Sequence, residues 1–262
     1  MITNRDFPKE LHEFNNVFLK ASHKWNYDDV FRDFIDYSVA CFLENGDREV
    51  ADRLKLKYEA DYKYFNEMFV CWIHAQNKMI CNKDDWYDGL GTFYEVITSS
   101  HKSSILGQFF TPPTIVNLMS MITMGSCRIG AGERINDPAS GSGRMLISAH
   151  AKCPGNYCYG ADLDSICAKM TALNMCIHGC IGEAVCMDSL AGKFYFGYEI
   201  NTYFKYMKTA VPHLIKIDES GSFQMNKFND VASRNIKTVV PKLLISELKT
   251  AIIPKNGQLS FW

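Results

Sequence analysis

Asp137 and Asp162 each stand at the end of a short run that reads as a β-strand, and a small-residue loop, Ala139-Ser140-Gly141-Ser142-Gly143, follows the first of them. Gly141 and Gly143 have no Cβ to hold a ligand off the backbone, and they tolerate positive φ. The segment behind them, Arg144 to Lys152, predicts a helix stopped by Pro154-Gly155, and its first N–H groups and positive dipole end would face the loop. A carboxylate on one side and helix N–H donors on the other suit a zwitterionic amino-acid moiety. Taken alone, the loop could equally be a tight turn in an α/β domain. Asp162 lies about 20 residues beyond the glycines, where doubly wound nucleotide folds keep an acid that accepts from both ribose hydroxyls. Asp164 takes that role if the strand ends later.

The elements needed to position these residues follow from the pattern around them. Strands are expected near Glu133–Asn136, Tyr157–Leu163 and Glu183–Met187, with helices over Arg144–Lys152 and Ser165–His178, the latter closed by Gly179. That alternation predicts an α/β fold with a parallel sheet, its ligand at the carboxyl ends of the strands. Residues 1–100 read as helical instead. Asn26 caps a helix through Val30, Phe31, Phe34, Ile35 and Val39 that Gly46 ends; a second helix spans Ala51 to Met79; a third starts near Asp84-Asp85 and carries Leu90, Phe93, Tyr94 and Val96.

Four stretches in fixed order, Gly107-Gln108-Phe109-Phe110-Thr111-Pro112-Pro113, Asn136-Asp137-Pro138-Ala139-Ser140-Gly141-Ser142-Gly143, Tyr159-Gly160-Ala161-Asp162-Leu163-Asp164 and Met187-Asp188-Ser189-Leu190, resemble the N6-adenine DNA methyltransferases. The resemblance is strongest to the modification subunit of type I restriction systems. It implies a class I S-adenosylmethionine-dependent methyltransferase (Rossmann-like) fold, preceded by a helical N-terminal domain over 1–100. The cofactor-binding domain would then occupy 101–262 and read as truncated at its C-terminus, with 238–241 and 243–248 as a possible strand and helix. The implied cofactor is S-adenosylmethionine. Gln108, Phe109 and Thr111 would fold over its methionine end, Asp137 and the loop Ala139, Ser140, Gly141, Ser142 and Gly143 would hold the amino-acid part, Asp162 and Leu163 the ribose side, and Asp188 the adenine amino group. DNA is the implied acceptor, with a separate specificity subunit as a possible partner.

Methyl transfer to adenine N6 requires the base flipped out, N6 held in line and the amine polarised. The family does this with Asn/Asp-Pro-Pro-Tyr/Phe at the end of the fourth strand, a tetrapeptide absent from this sequence; Pro112-Pro113 is its only Pro-Pro pair. The nearest counterpart is Asn201-Thr202-Tyr203-Phe204 behind the aromatic run Phe194–Ile200, expected as the fourth strand, which makes Asn201 and Phe204 the catalytic candidates. Two functions stay open: an adenine methyltransferase, and a catalytically inactive cofactor-binding module with a regulatory or assembly role. A methyltransferase for another acceptor is a third.

The formal net charge of −1 supplies no bulk attraction for nucleic acid, so any DNA contact must be local. No apolar run approaches a membrane span, the first residues do not read as a signal peptide, and a cytoplasmic protein is expected. Ten cysteines include no CxxC pair. Cys176-Ile177-His178-Gly179-Cys180 offers metal-ligand types without a matching second pair, so the thiols are read as buried core in a reducing compartment, with no metal. His178 reads as a helix-end residue.

Overall fold

The computed structural model describes residues 2–100, 110–124, 132–207 and 209–238. Its N-terminal part is built from helices α1 (His12–Ala21), α2 (Tyr27–Phe42), α3 (Arg48–Tyr58), α4 (Lys63–Met79) and α5 (Gly89–Ser100). Asn26 caps α2 as its residue type predicts, accepting from the Asp28 N–H at 2.9 Å, and Val30, Phe31, Phe34, Ile35 and Val39 form its buried face. The single helix expected over 51–79 is two. Glu59 takes φ +48°, and a 3₁₀ turn over Glu59–Tyr62 re-aims the chain so that Leu54 and Tyr58 before the break, and Phe65 and Met68 after it, reach the same core. Tyr58, Lys57 and Arg53 donate to buried Asp33 at 2.8, 2.7 and 2.6 Å, which fixes the end of α3 against α2.

After α6 (Pro113–Met124) the chain alternates: β1 (Arg134–Asp137), α7 (Arg144–Lys152), β2 (Tyr157–Asp162), α8 (Ser165–Ile177) and β3 (Ile181–Asp188). The three strands are parallel in the order β1-β2-β3, so Asp137, Asp162 and Asp188 all end at one edge of the sheet. A ligand placed there meets three strand ends and the loops behind them. Helix α8 is buried on nearly every side, between the sheet and α2, and one continuous apolar core runs from Phe14 and Phe34 to Leu173 and Ile200. The helical and sheet parts therefore share their interior.

The fourth strand runs the other way. β4 (Lys193–Ile200) pairs antiparallel with β3, and β5 (Leu214–Ile217) antiparallel with β4. Only Ser189–Gly192 separate β3 from β4, too short for the crossover that a parallel neighbour requires. Lys193 lies opposite Asp188 and Ile200 opposite Gly182, so Asn201 emerges at the far edge of the sheet. Helix α9 (Phe223–Thr238) then returns across the sheet, its first N–H groups held by buried Glu183, which accepts from Phe223 at 2.7 Å and Gln224 at 3.2 Å. The strand and helix expected over 238–248 lie outside the described residues, apart from Thr238, the last residue of α9.

Candidate functional site: a cavity at the carboxyl edge of the parallel strands

The loop after β1 is held in shape from below. Gly141 and Gly143 take φ +57° and +85°, a region costly for any other residue. Ser140 Oγ lies 3.0 Å from Thr171 Oγ1 on α8, and that hydroxyl donates to the Gly141 carbonyl. From the neighbouring strand, Asp162 accepts from the Gly141 N–H at 2.8 Å and from the Asp164 N–H at 2.9 Å. The glycine loop, the end of β2 and the start of α8 thus form one hydrogen-bonded unit.

Above this unit lies a cavity of about 470 Å³. Of the residues expected to bind a cofactor, Thr111, Asp137, Ala139, Ser140, Gly141, Ser142 and Asp162 line it. Phe110, Ile115, Met119, Arg144, Met145 and Cys167 join them, unforeseen from sequence. Asp137 accepts from the Ala139 N–H at 3.2 Å, and burial pushes its carboxyl above the usual range despite that bond. Burial does the same to Asp162, against the opposing Asp164 and Gly141 N–H groups. Both carboxylates therefore face the cavity short of positive charge.

Other expected residues fall elsewhere. Leu163 lines an adjoining pocket with Arg32, Asp162, Asp164, Cys186, Tyr195 and Phe196, so Asp162 stands between the two spaces. Leu163 is 61% exposed there, an apolar surface without cover. Gly143 caps α7 and packs against Thr171 rather than lining the cavity. Asp188 lines neither space: its carboxylate folds back onto the Leu190 and Ala191 N–H groups at 3.0 and 2.8 Å. Gln108 and Phe109 lie outside the described residues.

The catalytic candidates are displaced altogether. Asn201 is fully buried; its amide donates to the Cys176 and Cys180 carbonyls at 2.9 and 2.8 Å and its oxygen accepts from the His213 N–H at 3.0 Å. Eight residues of β4 carry it roughly 25 Å from the Asp188 level. With every polar atom of its side chain engaged and the cavity at the opposite edge, Asn201 is a structural joint, and Phe204 beside it packs edge-on against His213.

What sequence reasoning missed is a buried polar cluster that clamps the loop to the N-terminal helices. Asp88, just ahead of α5, accepts from four donors: Ser142 Oγ at 2.5 Å, Arg144 Nε at 2.6 Å, Gly91 N–H at 2.7 Å and Asn174 Nδ2 at 2.8 Å. Arg144 extends its Nη2 and Nη1 to Glu95 at 2.7 and 3.2 Å, and Nη1 also donates to the Thr111 carbonyl at 3.2 Å, with its guanidinium 5.2 Å from the Phe110 ring centre. Paired with two acids, Arg144 stays fully charged, since they outweigh the cost of its burial. His178 completes the far side, Nδ1 donating to the Asn174 carbonyl at 2.6 Å and Nε2 accepting from the Tyr87 N–H at 3.2 Å. The packing around it pushes its pKa down to about 4, so it is neutral near pH 7.

A glycine loop between a β-strand and a helix, with an acid at the end of the next strand, defines a nucleoside-binding half-sheet. Comparison with known proteins gives that half-sheet a family. A family model described as N-6 DNA Methylase matches residues 85–237. The type I restriction enzyme MjaVII methylase subunit of Methanocaldococcus jannaschii is 30% identical in an alignment of 118 residues that covers 42% of this chain and 20% of that protein. Two solved structures share more distant likeness. A class I S-adenosylmethionine-dependent methyltransferase from Listeria monocytogenes covers 69% of this chain and 52% of its own at 12% identity and TM-score 0.36. A type I restriction-modification methyltransferase subunit from Streptococcus thermophilus covers 66% and 38% at 18% identity and TM-score 0.33. The chain belongs to the N-6 DNA methylase family, whose cofactor is S-adenosylmethionine. It spans about a fifth of the length of the curated relative it matches.

Proposed function

We propose that this chain is the S-adenosylmethionine-binding part of an adenine-N6 DNA methylase, holding the cofactor in the cavity between Asp137, the glycine loop and Asp162. The observation that carries this reading is the pair of half-buried carboxylates lining one cavity on either side of the glycine loop. Asp137 receives the cofactor's ammonium; Asp162 receives the ribose hydroxyls with the lone pairs its two backbone bonds leave free. The adenine ring enters the adjoining pocket, against the exposed side chain of Leu163. Asp188, whose Oδ1 is held by its own turn and which lines neither space, makes no direct bond to the ligand. When bound, the sulfonium supplies an already activated methyl group, and this chain's residues place it.

The residues that polarise the target amine come from outside this stretch of chain. The sequence lacks the Asn-Pro-Pro-Tyr tetrapeptide, and Asn201 is spent on the far edge. This favours a cofactor-holding module that works beside other chains, a specificity subunit and DNA among them, over a self-sufficient enzyme. Such partners place it in the cytoplasm, and all nine cysteines among the described residues are free. No helix among the described residues is long and apolar enough to cross a membrane.

Transfer of tritiated methyl from S-adenosylmethionine to unmethylated DNA tests the reading. The purified chain should bind the cofactor and transfer nothing by itself, with transfer appearing when neighbouring gene products are added. Transfer by the chain alone contradicts the division of labour proposed here.

A further inference from the structure

The Cys176–Cys180 stretch does not form a metal loop of its own. Cys176 Sγ points to Asn201 Oδ1 at 3.7 Å, and His178 is committed to Asn174 and Tyr87. Cys180 instead meets two residues from elsewhere in the chain: Cys158 on β2 and His150 on α7, with one ligand atom from each of the three within 4.8 Å of the others. Both thiols are fully buried, and His150 Nδ1 is buried without a hydrogen-bond partner. A ring that stands beside two thiols and keeps one nitrogen buried without a partner is costly for a purely apolar packing.

We propose that His150, Cys158 and Cys180 form a binding site for one thiophilic d¹⁰ cation, Zn²⁺ or Cu⁺. Two thiolates and one imidazole are the soft donor set that such cations select over oxygen ligands. Tetrahedral zinc with these donors places them about 3.5–3.8 Å apart, inside the 4.8 Å limit within which all three ligand atoms lie. Binding displaces the two thiol protons to solvent.

The site is separate from the cofactor cavity. Cys158 is near the start of β2 and Cys180 immediately precedes β3, so both lie at the amino edge of the parallel strands, whereas Asp162 ends β2 four residues, roughly 13 Å, further on. A cation there ties α7, β2 and β3 together behind the glycine loop, a clip on the scaffold rather than part of the chemistry. Its presence can be tested without reference to S-adenosylmethionine.

The full chain, purified under reducing conditions and stripped of metal, is titrated with Zn²⁺, with Cu⁺ under anaerobic conditions, and with Co²⁺ as a spectroscopic probe. One equivalent should bind, with a thiolate-to-cobalt charge-transfer band that zinc abolishes; the Zn²⁺ and Cu⁺ arms show which cation is held more tightly. Cys158→Ser and Cys180→Ser should remove the band, while Cys41→Ser and Cys81→Ser, at exposed positions, leave it intact. His150→Gln is the milder variant should the serine substitutions unfold the core. It retains both thiols and should still weaken binding by more than about tenfold, the least that losing a supporting residue of a metal site costs. A wild-type chain that takes up no more zinc, cobalt or Cu⁺ than the Cys158→Ser, Cys180→Ser double variant, or a His150→Gln chain that binds as wild type, overturns the site.

Discussion

Asp88 and Arg144 stand 56 residues apart in sequence and meet at 2.6 Å, both almost wholly buried, and this pair joins the helical N-terminal part to the helix behind the glycine loop. Because Asp88 also accepts from Ser142 within the loop, the geometry of the proposed cofactor cavity depends on a residue outside its lining. Asp88→Ala leaves the Arg144 guanidinium buried with only Glu95 as its charged partner. The expected loss is about 3–5 kcal/mol of stability, measured by urea unfolding. Arg144→Lys should keep the charge but lose the fork to Glu95 and Asp88, weakening cofactor binding more than it weakens the fold.

Gly91 is required by the same cluster. A Cβ at this position would lie 2.1 Å from Asp88 Oδ2 and 2.6 Å from Ser142 Oγ. Gly91→Ala, in spite of its better helix propensity, should destabilise by about 1–3 kcal/mol and loosen the Asp88–Ser142 bond. Thermal unfolding and cofactor affinity, measured together, should both fall.

Cofactor binding should weaken in acid, earlier than ordinary carboxylates would dictate. Burial raises the pKa of both Asp137 and Asp162, so each takes up a proton at a pH above the normal carboxylate value and loses the charge that holds the ligand's ammonium or orients its hydroxyls. Affinity should therefore be highest near neutral pH and drop as pH falls through these raised values. Asp137→Asn should flatten that drop.

His178 predicts a second acid effect, on stability. Its pKa is held down to about 4 in the folded protein, below the 6.5 of a free imidazole. The neutral ring's contribution is complete above the unfolded value and is lost as pH falls from there toward 4. A His178→Gln chain should show a shallower loss of stability across that window.

Asn201→Ala separates a structural joint from a catalytic residue. Removing three buried hydrogen bonds should cost several kcal/mol, at about 1 kcal/mol or more for each partner left unpaired. Cofactor affinity, measured where the variant is still folded, should stay at the wild-type level. A selective loss of methyl transfer in a reconstituted assembly, with stability unchanged, would restore the catalytic reading.

Much of this architecture is legible in the sequence where the signal is local. Asn26 announces α2, Pro154-Gly155 ends α7, and the alternation around the glycines yields the three parallel strands within a residue or two of their observed ends. The aromatic run at Phe194–Ile200 is also a strand, but its direction is set by the four-residue turn before it. That turn was the available signal, and it excludes a parallel crossover. The Asp88–Arg144–Glu95 cluster carries no such mark. Arg144 lies 56 and 49 residues from its two acids, and they become partners only once the start of α7 meets α5 and the turn ahead of it. Asp188 shows the limit of arguing from strand ends: the backbone delivers it to the expected edge, and two nearby N–H groups turn its side chain away.

The account rests on S-adenosylmethionine occupying the cavity between Asp137 and Asp162, and calorimetry near neutral pH measures this most directly. One molecule should bind per chain, Asp162→Ala should weaken binding by about 10- to 100-fold, equivalent to hydrogen bonds of 1.5–3 kcal/mol to a charged acceptor, and Asp188→Ala should leave the affinity unchanged. Absence of binding to the folded wild-type chain, or an affinity indifferent to Asp162 and sensitive to Asp188, would contradict it.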